Sequence, residues 1–92
     1  MNSIGANIEI RGHVQGVGYR YFCVTRAIRL GLTGWVRNTP QRSVAVYAEG
    51  DRGSLEIFID ELKRGPMAAA VAGVDVRWTA FTGKYDSFSV VG

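Results

Sequence analysis

The sequence predicts an α+β sandwich, an antiparallel sheet with two helices on one of its faces. Three observations predict it. Apolar residues alternate with polar ones along several short segments, the period of strands with one buried face. Along two other segments apolar residues recur at spacings of three and four, the stripe of an amphipathic helix. The segments follow in the order β-α-β-β-α-β, with one more short strand at the C-terminus.

The first strand is read from Ile8, Ile10 and Val14, with Glu9, Arg11 and His13 between them. A glycine-punctuated stretch from Gly12 to Gly18 leads into a helix whose stripe is Tyr19, Phe22, Cys23, Ala27 and Leu30, ended by Gly31 or Gly34. Thr33 to Arg37 reads as the second strand and Asn38-Thr39-Pro40-Gln41-Arg42 as a turn. Val44, Val46 and Ala48 alternate with Ala45, Tyr47 and Glu49 in the third strand. Asp51 is placed to cap a second helix, in which Leu55, Phe58, Ile59 and Leu62 fit one face. Lys63 and Arg64 suit its C-terminal end, and Gly65-Pro66 stops it. Val74, Val76 and Trp78 begin the fourth strand, and Phe88 to Val91 form the last. Two helix stripes against one face of an antiparallel sheet make a ferredoxin-like α/β sandwich.

The chain has 92 residues, which predicts one domain over residues 1–92. Chains of this size bury only about 60–65 % of their unfolded surface, so nearly every apolar stripe has to join one core. With 47 % hydrophobic and 21 % charged residues it reads as globular. No apolar run approaches the roughly 18–20 residues of a membrane span. Met1 to Asn7 has neither a basic segment nor a hydrophobic one, so no signal peptide is expected. Cys23 is the only cysteine and fits a reducing compartment, hence an expected cytoplasmic location. A monomer is expected. The net charge is +3, with nine arginines against two lysines. Such a balance suits anionic partners without choosing between phosphates and nucleic acid.

The segment Gly12-His13-Val14-Gln15-Gly16-Val17-Gly18-Tyr19-Arg20 joins the first strand to the first helix. It lacks the Lys-Ser or Lys-Thr pair of an NTPase phosphate loop. It lacks the third glycine of a dinucleotide fingerprint as well, because Tyr21 stands there. Glycines nevertheless let several N–H groups converge, and the helix adds the unpaired amides and positive end of its first turn. An arginine is disfavoured at a helix N-terminus unless an anion offsets its charge, and its fork of donors matches phosphate oxygens. The alternative is a tight strand-to-helix turn with Arg20 in solvent.

That run resembles the acylphosphatase signature, and so does Gly31-Leu32-Thr33-Gly34-Trp35-Val36-Arg37-Asn38-Thr39. Weaker echoes continue in Glu49-Gly50, Gly65-Pro66 and the strand around Val74 to Trp78, so the resemblance spans nearly the whole chain. It implies hydrolysis of carboxyl-phosphate anhydrides, with acyl phosphate as substrate, inorganic phosphate as product and no metal or other cofactor. It also implies a phosphate-binding loop at Gln15, Gly16, Val17, Gly18, Tyr19 and Arg20. Arg20 would hold the phosphate and Asn38 would orient the attacking water. The chain departs from the family in the hairpin turn after the asparagine, where a glycine is common and Gln41-Arg42-Ser43 stands here. A side chain in that turn is expected to strain or reshape it.

The remaining inventory is sparse. His13, the only histidine, falls beside the loop and reads as a surface residue rather than a base. Cys23 lies on the helix stripe and reads as packing. No His, Cys and carboxylate group has metal-ligand spacing. An acyl phosphate tolerates this, because its leaving carboxylate needs no general acid and phosphoryl transfer depends mainly on positioning and charge. Three rivals remain. A nucleic-acid module of the same topology would stack bases on the central strands, but Val44 to Glu49 offers only Tyr47, so no nucleic-acid partner is expected. A piece of a larger hydrogenase-maturation protein is disfavoured by the start methionine and by the end of the chain at the end of the fold. The third is a phosphate binder without turnover.

Overall fold

A computed structural model describes residues 2–92, so the start methionine lies outside the described residues. The elements are β1 (Ser3–His13), α1 (Tyr19–Arg29), β2 (Thr33–Asn38), β3 (Val44–Asp51), α2 (Arg52–Arg64), β4 (Ala70–Thr79) and β5 (Phe88–Val90). They build one five-stranded sheet in the order β4-β1-β3-β2-β5. The two helices cover the face that carries Ala6, Ile8, Ile10, Val36, Val44 and Val46. The architecture is the expected ferredoxin-like α+β sandwich.

The strands run longer than the alternation alone marks out. β1 starts at Ser3 and β4 at Ala70, because β1 keeps pairing with β3 back to Ser3 and with β4 out to Ala70, where the side chains no longer alternate. One pairing corrects the expectation of an antiparallel sheet. β5 lies parallel to β2, Val36 opposite Val90, while every other pairing is antiparallel. The chain leaves β4 at one edge, reverses, and settles at the far edge, where β2 already runs in the new direction.

The second helix forms as its sequence dictates. The Asp51 carboxylate accepts from the Ser54 N–H at 3.3 Å, and Gly65 closes the far end at φ 67°. Its stripe of Leu55, Phe58, Ile59 and Leu62 is buried, each side chain supplying roughly 1.5–3 kcal/mol of transfer free energy. Among the described residues no helix is long and apolar enough to cross a membrane.

The third strand departs from its reading. Its polar side was expected to face solvent, but Tyr47 and Glu49 are buried. The segment between β4 and β5 folds over them. The Glu49 carboxylate accepts from the Thr82 N–H at 2.8 Å, the Thr82 hydroxyl at 2.6 Å and the Gly83 N–H at 3.1 Å. The Tyr47 hydroxyl donates to it too. Burial pushes the Glu49 carboxyl up, but the hydrogen bonds from Thr82, Tyr47 and Gly83 outweigh burial and leave its pKa below the usual value.

Candidate active site

Between β1 and α1 the backbone is shaped for exposure of its N–H groups. The β1–β4 register shifts between Arg11 and Gly12, a bulge that bends the strand as it enters the loop. Gly16 and Gly18 take left-handed conformations at φ 75° and 79°. A side chain there would cost about 1–2 kcal/mol per residue. Gly18 is also the residue that opens α1, and no side chain caps the helix. Among the described residues, the amides of Gly16, Val17 and Gly18 donate to no backbone partner. Arg20 is exposed in the first turn and has no ion pair among the described residues. A depression of about 290 Å³ opens here, lined by Val14, Gly16, Gly18, Arg20, Tyr21 and Val90, with Tyr19 behind them.

The loop residues divide by what their side chains do. The Tyr19 side chain is buried, and its hydroxyl donates to the Leu62 carbonyl at 2.7 Å, so it ties the start of α1 to the end of α2. Only its backbone is left for the loop. Gln15 likewise turns away from the depression. Its side-chain amide donates to the carbonyls of Thr39 at 3.0 Å and Ser43 at 2.9 Å. Those are the two ends of the β2–β3 hairpin, so Gln15 holds the glycine loop against the turn that follows Asn38.

Asn38 ends β2. It follows Val36 by two residues, so both side chains stand on the face of the sheet where α1 lies. Val36 pairs with Val90, a wall of the depression, and accepts from the Val91 N–H at 3.0 Å. Asn38 itself does not line the depression. Its Oδ1 is buried and has no hydrogen-bond partner among the described residues. An unpaired buried acceptor costs about 1–3 kcal/mol, so this one calls for a polar partner.

The hairpin carries residues that the sequence did not single out. The Thr39 and Ser43 hydroxyls meet at 2.7 Å, Ser43 Oγ donates to Glu9 at 2.8 Å, and the Thr39 N–H donates to the Ser43 carbonyl at 2.9 Å. Polar residues flanking a turn were visible in the sequence; their link to Gln15 and Glu9 was not. The expected anomaly in the turn is present as well. Arg42 has φ 68°, the one non-glycine with positive φ among the described residues.

Cys23 is fully buried, and burial pushes its thiol pKa well above the ordinary value, so it stays a protonated packing group. His13 is exposed at the end of β1. Among the described residues no group of three or more His, Cys, Asp or Glu is arranged to hold a metal ion.

Comparison with known proteins identifies the family. The acylphosphatase family model matches residues 6–90. An acylphosphatase of Methylococcus capsulatus is 45 % identical over 85 residues, covering 92 % of each chain. One from Syntrophotalea carbinolica is 41 % identical over 90 residues, covering 98 % of each. The crystal structure of the acylphosphatase from Bacillus subtilis superposes with a TM-score of 0.94 at 32 % identity, over 97 % of this chain and 99 % of that one.

Proposed function

The chain belongs to the acylphosphatase family and is an acylphosphatase, and from that premise we propose how its own residues hydrolyse the carboxyl-phosphate anhydride. The phosphoryl group sits in the depression between β1 and α1. The free amides of Gly16, Val17 and Gly18, the positive end of α1 and the Arg20 guanidinium share its oxygens' charge. Asn38 holds the attacking water in line, since an amide can accept from a water and donate to it. Gln15 keeps the two halves of the site in register from the side. The bond from phosphorus to the anhydride oxygen breaks, and the acyl group leaves as a carboxylate that needs no proton. The water's proton passes to the substrate phosphate, the nearest base this arrangement offers.

The observation that carries the reading is the pairing of a glycine-built cradle with a buried, unpartnered Asn38 acceptor on the adjoining hairpin. The reading makes the protein a cytoplasmic monomer of one domain that acts without a metal. Its test is hydrolysis of benzoyl phosphate with chelator present, beside an ordinary phosphate monoester. Turnover of the first with little of the second is expected. A rate that chelator abolishes and magnesium restores would overturn the mechanism.

A further inference from the structure

The face of the sheet turned away from the helices has a composition that the hydrolase does not use. Odd-numbered residues of β1 to β4 stand on it. The strand registers set Arg77, Asn7, Tyr47 and Trp35 side by side across four strands, and Asp75, Glu9, Ala45 and Arg37 in the next row. The small Ala45 side chain leaves a hollow of about 480 Å³, edged by Trp35, Arg37, Asp75 and Arg77. That volume lies within the range of ligand pockets.

Two features of the hollow point to its occupant. The first is a rigid aromatic surface. The Trp35 ring stacks on Tyr47 with centroids 6.4 Å apart and planes at 29°, and Tyr47 rests on Tyr85 at 5.5 Å. Trp35 is therefore held by a backing layer rather than free to rotate. The second is the charge left uncompensated. Asp75 is paired with Arg11 at 3.0 Å, while the Glu9 carboxylate, which accepts from the neutral Ser43 hydroxyl at 2.8 Å, offsets one of the two remaining arginines at most. Arg37 and Arg77 have no ion pair among the described residues. The Arg37 guanidinium lies over the Trp35 ring, 5.9 Å from its centroid, so a group that stacked on that ring would take its place there and meet the displaced guanidinium as a phosphate donor.

We propose that this face binds a short stretch of single-stranded nucleic acid, one base stacked on Trp35 and backbone phosphates held by Arg37 and Arg77. A planar ring on a face that also carries unpaired arginines is the combination that tracks such strands. Arg37 and Arg77 stand on strands three spacings apart, about 14 Å at the backbone. One phosphate spans that distance poorly, and an extended strand spans it with successive phosphates. Asn7, between them, offers an amide to base edges. The sequence-based expectation of no nucleic-acid partner counted aromatics on β3 alone. The structure changes the count: Tyr47 is buried and acts as support, and the half-buried ring that borders the hollow comes from β2. Part of the arginine excess also acquires a use.

The test uses the whole chain and a fluorescein-labelled oligo(dT) at low salt, read by anisotropy, with benzoyl phosphate turnover as the check of folding. Binding that weakens with salt is expected. Trp35→Leu should weaken it about 5- to 100-fold, the scale of one stacked base. Arg77→Glu should weaken it and lower the salt slope by about one. Arg64→Glu, an equal change of charge on α2, should do little. Turnover should persist in Trp35→Leu and Arg77→Glu, and Arg77→Glu keeps the test decisive if Trp35→Leu melts low. At constant ionic strength, saturating inorganic phosphate should leave binding no weaker than the same ionic strength of chloride does, since the cradle is elsewhere. Absence of binding, binding indifferent to both substitutions, displacement by phosphate beyond that by chloride, or equal binding of polyglutamate would each overturn the proposal. None of those results bears on hydrolysis, so the two readings fail separately.

Discussion

The two helices begin in opposite ways. The start of α2 is satisfied by its own sequence: Asp51 accepts from Ser54 N–H, and Arg52 in its first turn is paired with Glu56 at 3.3 Å and lies over the Trp78 ring. Among the described residues the start of α1 has no side-chain cap, no acidic residue and a left-handed glycine in the cap position, with Arg20 unpaired beside it. One end is closed for stability and the other is left open, at a cost that a bound anion offsets. A similar contrast separates two polar groups of the sheet. Among the described residues the Glu49 carboxylate takes four hydrogen bonds, whereas Asn38 Oδ1 takes none. In both pairs, the group left short of partners is the one assigned to substrate or water.

The contrast can be broken most sharply at the open end. Arg20→Lys keeps the charge and discards the fork, so kcat/KM for benzoyl phosphate should fall at least about 10²-fold, because misplacement of about 1 Å has that scale. Phosphate should raise the melting temperature of the parent protein more than that of the lysine variant. Near-parent turnover would remove the bidentate role. Asn38→Ala should lower kcat by roughly 10²-fold while phosphate affinity changes little. Equal losses in both would move Asn38 into the anion grip.

Stability changes should be smaller and should leave the chemistry alone. Cys23→Ser puts a hydroxyl into the core and should cost about 1–3 kcal/mol with turnover retained; a folded but dead variant would revive a thiol mechanism. Glu49 should make stability depend on acid. Its folded pKa lies below the usual carboxylate value, so its contribution is present above about pH 4.3 and is lost as pH falls through the folded pKa. Acid melts of Glu49→Gln should show a shallower loss over that window, and an unchanged slope would deny Glu49 that part. Asp51→Ala, at the closed end, should cost about 1 kcal/mol in denaturant melts and leave kcat/KM unchanged. The smallest effect is a gain. Arg42→Gly relieves a left-handed residue worth about 1–2 kcal/mol, less the extra chain entropy of glycine, about 0.5–1 kcal/mol. A net rise between zero and about 1.5 kcal/mol is expected, and a fall would show that the Arg42 side chain stabilises the hairpin.

The sequence by itself determined the local features. Periodicity marked both helices, the Asp51 cap and the Gly65 stop, because each depends on neighbours within one or two turns. The glycine loop with Arg20, and the awkward Arg42 turn, were legible for the same reason: left-handed backbone and helix polarity are local properties. Only the tertiary structure decided the rest. Gln15 read as a loop residue, and only the folded chain could bring it to Thr39 and Ser43, 24 and 28 positions away. Glu49 alternated like a solvent-facing residue until the segment carrying Thr82 and Gly83 closed over it. Trp35 and Tyr47 became a stacked pair only through the β2–β3 register, and β5 turned parallel only because of the edge it reached. Hydrogen bonds, burial and register between distant segments depend on which chain lies across the gap, and no local period records that.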